Sequence, residues 1–129
     1  MIDCAVIGDS IAVGLGPYFP VCETHGKIGA TSGVIVGLTR DASVAVISAG
    51  SNDPTNPSLL RNLRRIRAKI SGKVAWVLPI HPTARAAVLR VARENGDHTV
   101  SFTPARDRVH PKSYRALARD LLKLAEQNL

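Results

Sequence analysis

Residues 43–49, SVAVISA, decide the fold. The run is β-branched and nearly continuous in apolar side chains. A strand with one wet face alternates apolar and polar residues, whereas one buried on both faces does not. The stretch therefore reads as the central strand of a sheet covered on both sides.

Working outward, residues 2–7 (IDCAVI) form an apolar run broken only by Asp3, and 74–78 (VAWVL) form another that ends at Pro79. Residues 21–24, after Pro20, are a shorter extended candidate, and 98–102 give a fifth strand. Helix patterns fill the intervals at 10–18, 31–39, 57–69, 82–95 and 111–128. The clearest is 57–69, where Leu59, Leu60, Leu63, Ile66 and Ile70 recur at helical spacing and Arg61, Arg64, Arg65 and Arg67 take other positions. Gly96 suits a left-handed cap after the fourth helix. The last helix is expected to bury Tyr114, Leu117, Leu121, Leu122 and Leu124. Strands alternating with helices require right-handed crossovers and a parallel sheet. The expected fold is an α/β three-layer sandwich, with a five-stranded parallel sheet in the flavodoxin-like order 2-1-3-4-5. Residues 1–129 make one domain.

Composition narrows the function classes. The chain is 45% hydrophobic and 21% charged, as globular proteins are. Aromatics make up only 4%, so Val, Ile, Leu and Ala must build the core. Cys4 and Cys22 are too few for a disulfide framework and read first as small buried hydrophobes with free thiols, and second as a bridge if their strands are neighbours. The first residues lack the basic and long apolar regions of a signal peptide, and no apolar stretch approaches a membrane span. The default location is the cytoplasm. Net charge is +7, with nine Lys or Arg and no acidic residue between Pro54 and Arg93. Arg61, Arg64, Arg65 and Arg67 read as a solvated helix face, or as a surface for an anionic partner.

In a sheet of this type, sites form in the loops after the carboxyl ends of the strands. After the first strand comes Gly8-Asp9-Ser10, where Ser10 suits either a helix N-cap or a nucleophile. After the second comes 27–33, with Gly29 or Gly33 able to bring a backbone N–H close to a substrate. Asn52, in Gly50-Ser51-Asn52-Asp53 after the third, can present an amide donor. Before the last helix, Asp107 and His110 stand three apart, so that the carboxylate can hold Nδ1–H and leave Nε2 to accept a proton from Ser10.

These blocks resemble those of the SGNH, or GDSL-type, esterases and acyl hydrolases. Gly8-Asp9-Ser10 is similar to the nucleophile block, Gly29 to the block glycine, Gly50-Ser51-Asn52-Asp53 to GxND, and Asp107-x-x-His110-Pro111 to DxxHP. The resemblance implies a Ser10–His110–Asp107 triad with no cofactor or metal. It also implies an oxyanion hole formed by the Ser10 N–H, the Gly29 N–H and the Asn52 amide. Asp9 and His81 are assigned to substrate binding, with His25 in a similar position to His81. Arg106, Arg108 and Lys112 surround the acid–base pair, as a solvated rim or as an attractor of anionic substrate. The short chain leaves little room for a lid, which favours a short acyl ester, such as acetate on a carbohydrate or similar small alcohol. The rival readings are an idle module of the same fold that holds an anionic polymer or partner through its basic face, and a nucleotide binder. The latter lacks any glycine-rich phosphate loop.

Overall fold

Strand β3 (Ala42–Ser48) lies at the middle of the sheet, between β1 (Ile2–Gly8) and β4 (Lys73–Val77). Strands β2 (Glu23–Gly26) and β5 (His98–Val100) form the edges, giving the order β2-β1-β3-β4-β5 with every pairing parallel. The computed structural model describes residues 1–127. The expected fold and strand order are those observed.

The period-two pleat divides the core between two layers. Ala5, Ile7, Ala45, Ile47 and Trp76 face α2 (Ser32–Leu38), α3 (Leu59–Ala68) and α4 (Pro82–Asn95). Val6, Val46 and Val77 face α1 (Ser10–Leu15) and α5 (Tyr114–Gln127). Gly14 makes the second layer possible, because a Cβ there would lie 2.4 Å from the Tyr114 ring of α5. Gly96 takes φ 66° and ends α4 as a left-handed cap.

The expected boundaries shift for local reasons. The helix expected over 10–18 ends at Leu15 and continues as a 3-10 turn, Gly16–Tyr18, through Pro17. Helix α3 starts at Leu59 rather than 57, because Asn56 holds the preceding turn through its side chain to Ser58 N–H. Pro111 belongs to a loop, paired with Pro104, and the Ser113 hydroxyl accepts from the Ala116 N–H at the start of α5. Residue 128, expected to end this helix, lies outside the described residues. Leu117 and Leu121 are buried as expected, but Leu122 is exposed and Tyr114 and Leu124 are half-buried.

The cysteines are not free thiols: Cys4 and Cys22 form a disulfide. Strand register is the reason. Ala5 pairs with Glu23 across the parallel β1–β2 ladder, so the residues one step earlier, 4 and 22, meet with Cα atoms 4.6 Å apart.

Candidate active site

The turn from β1 into α1 is built on a glycine. Gly8 has φ 145°, and a Cβ there would lie 1.9 Å from the Ser48 carbonyl oxygen. This close approach lets Asp9 N–H donate to Ser48 O, while Lys27 N–H donates to Gly8 O. Asp9, not Ser10, is the helix N-cap, and its Oδ1 accepts from the Ile11 N–H at 3.0 Å. Ser10 is thereby the first helical residue. Its hydroxyl is released from capping and its N–H lies among the first-turn donors that have no intrahelical partner.

Asp9, expected to bind substrate, is a buried carboxyl group. The residue is 0% exposed, beneath the surface, where Oδ1 also accepts from Ser48 Oγ at 2.9 Å and Oδ2 has no partner. Burial pushes its pKa up from 3.8 to about 6.

The loop between β5 and α5 folds back on itself. Pro104 pairs with Pro111 antiparallel, Ala105 N–H donates to His110 O, and Lys112 N–H donates to Thr103 O. At its tip, Asp107 Oδ1 accepts from the N–H groups of Val109 and His110 at 2.9 and 3.0 Å. Asp107 Oδ2 lies 2.6 Å from His110 Nδ1, and His110 Nε2 lies 2.8 Å from Ser10 Oγ, across a separation of 100 residues. The carboxylate selects the tautomer with hydrogen on Nδ1, which leaves Nε2 as acceptor of the serine proton. The His110 hydrogen bond, helped by the two backbone donors, holds the Asp107 pKa down to about 2. The acid therefore stays ionised through the neutral range.

The strands that flank β1, β2 on one side and β3 on the other, lead into the loops that carry Gly29 and Asn52. Gly29 has φ 79°, with nothing within 4 Å of where a Cβ would stand. Gly33, its rival, lies inside α2. Asn52 Nδ2 donates to Ala30 O at 2.9 Å, which joins the two loops and leaves its second amide hydrogen for a ligand.

Sequence reasoning missed the polar chain that holds these loops. Asp53 accepts from Ser32 N–H and Oγ at 3.0 and 2.6 Å and from Asn56 Nδ2 at 2.9 Å. Buried Asn62, from the otherwise apolar face of α3, donates to Ser32 Oγ at 3.0 Å. The interruption of that apolar face by Asn62 was the available signal.

Two of the other histidines are engaged locally. His81 is the N-cap of α4, with Nδ1 accepting from Thr83 N–H at 3.2 Å. His25 lies within β2 rather than after it, 3.0 Å from Glu23 Oε1. Among the described residues no group of three or more His, Cys, Asp or Glu could hold a metal ion.

The basic face of α3 is partly neutralised from α4 and the turn after it. Arg64 is bidentate on Glu94 at 3.0 and 2.7 Å. Arg67 is bidentate on Asp97 at 2.7 and 3.0 Å, with its side chain only 15% exposed. Both acids lie just past the acid-free stretch of sequence, which leaves Arg61 and Arg65 as the open cations of that face. No helix among the described residues is long and apolar enough to cross a membrane.

A cleft of about 880 Å³ opens beside the triad loop, lined by Ile80, Pro104, Ala105, Arg106, Arg108 and Lys112. Comparison of the chain with family models, with curated proteins and with solved structures found no match.

Proposed function

We propose that the chain is a serine esterase of the SGNH/GDSL type. It hydrolyses short-chain acyl esters, such as O-acetyl groups on a carbohydrate or similar small alcohol. One observation carries this reading: the unbroken hydrogen-bonded line from Asp107 through His110 to Ser10.

Ser10 Oγ attacks the ester carbonyl as its proton passes to His110 Nε2, and the carbonyl π electrons move onto oxygen. The Ser10 N–H, the Gly29 N–H and the remaining Asn52 amide hydrogen receive that oxyanion. One such donor is worth about 10²–10³ in rate. Asp107 stabilises the imidazolium without taking its proton. Collapse of the intermediate breaks the bond to the alcohol oxygen, which leaves with the proton from Nε2. Water then repeats the sequence on the acyl-serine and regenerates the hydroxyl.

The His110 side chain is 40% exposed and that of Asp107 51%, so the reacting edge is open and suits a small acyl group better than a long chain. The Cys4–Cys22 bridge fits an oxidising compartment better than the cytoplasm.

The test is labelling by a fluorophosphonate together with turnover of 4-nitrophenyl acetate. Both are expected in the native chain and lost in Ser10→Ala at unchanged circular dichroism. Salt-sensitive binding to a polyanion without labelling would instead favour the idle module.

A further inference from the structure

We infer that the ester cleaved here carries its negative charge on the alcohol, and that Arg106, Arg108 and Lys112 form the subsite for that anion. The inference rests on the esterase reading and deepens it.

Three observations converge. The first is unbalanced charge. Arg64, Arg67 and Arg90 all face Glu94 or Asp97, whereas Arg106, Arg108 and Lys112 have no carboxylate partner among the described residues. The nearest acid in sequence, Asp107, is committed to His110. Three exposed cations and no acid thus line one concave surface. Clefts lined by one sign of charge concentrate counter-ions.

The second is backbone strain. Arg108 takes φ 59°, the one described non-glycine residue with positive φ. This region suits Gly or Asn, and a long side chain there costs on the order of 1 kcal/mol or more. A turn alone needs only glycine at this position. The arginine adds a cation between the catalytic acid and base.

The third is direction. His110 must protonate the leaving oxygen, so the alcohol departs on the imidazole side of Ser10. The oxyanion donors belong to other loops, after β1, β2 and β3. The loop that carries His110 also walls the cationic cleft, which therefore lies on the alcohol side of the scissile bond. The class of substrate is an acyl ester of an alcohol bearing a carboxylate or a phosphate.

A pair of esters tests this with the acyl group and ring held constant: 4-acetoxybenzoate and its methyl ester, which differ by one charge. We expect kcat/KM to favour the anionic ester by roughly tenfold at low salt. The preference should approach unity in 0.5 M salt, and also in Arg106→Gln/Lys112→Gln. It should fall likewise in Arg108→Gly, a change that relieves the strained φ while removing the cation. A larger preference for 4-acetoxyphenyl phosphate would assign the anion as phosphate; one for 4-acetoxybenzoate would assign a carboxylate. Equal turnover of the charged and methyl esters, or a preference untouched by all the substitutions, overturns the subsite and leaves the esterase reading standing. Failure to cleave either ester, with no fluorophosphonate labelling of Ser10, sinks both.

Discussion

Replacing Asp9 by Asn should change how stability depends on pH, with a sign and size set by the burial of one carboxyl group. Asp9 is 0% exposed, its Oδ2 is unpartnered, and desolvation raises its pKa from 3.8 to about 6. The folded chain therefore holds this proton more tightly than the unfolded chain. Stability from the protonated form is fully present below about pH 4 and is lost as pH rises through about 6. The gap of roughly two pH units corresponds to about 3 kcal/mol, since each unit is worth about 1.4 kcal/mol. An amide keeps Oδ1 as acceptor for Ile11 N–H and Ser48 Oγ and never ionises. It places an amide donor where Oδ2 had no partner, at a pH-independent cost of about 1–3 kcal/mol. Urea unfolding of both proteins at intervals from pH 4 to 7.5 gives a difference curve in which every other titrating group cancels. The Asp9 chain should lose about 2–3 kcal/mol relative to Asp9→Asn across that range, most of it by pH 7. A flat difference curve would refute the reasoning, and so would one of opposite slope.

Three further outcomes are expected. Asp107→Asn should lower kcat by roughly two to three orders of magnitude at neutral pH, less than in a buried triad because Asp107 is half exposed; steady-state kinetics on 4-nitrophenyl acetate decides it, and a change under threefold contradicts the role. Arg67→Ala should cost about 3–5 kcal/mol, because it strands Asp97, whose side chain is 3% exposed, with Trp76 Nε1–H as its remaining side-chain donor. Exposed Arg61→Ala should cost almost nothing, and denaturant midpoints of the two variants would reveal equal effects if this account were wrong. Reducing the Cys4–Cys22 bridge, which spans 18 residues, should lower stability by about 3 kcal/mol on the chain-entropy model. That equals a melting-temperature drop of roughly 10 °C; an unchanged melting curve after thiol reduction counts against the bridge.

Much of the fold was legible because its signals are local. The apolar continuity of 43–49 marks a strand buried on two faces, and the left-handed preference of glycine marks Gly96 as the end of α4. The candidate site was legible as an inventory: Ser10 at the start of α1, and Asn52, Asp107 and His110 in loops, all come after the carboxyl ends of strands. The cap of α1 was less so, since Asp9 and Ser10 are both good caps and only packing against Ser48 chooses between them.

Composition and periodicity alone determined the alternation of strands and helices, and with it the parallel α/β class, because apolar patterning and turn chemistry act over a few residues. Tertiary structure decided what depends on residues distant in the chain. The β1–β2 register turned two apparent free thiols into a bridge. Helix packing brought Glu94 and Asp97 onto arginines about 30 residues earlier and neutralised part of a face that reads as uniformly basic. Closure of the sheet edge set His110 Nε2 at 2.8 Å from Ser10 Oγ, a contact across 100 residues that no local pattern can encode.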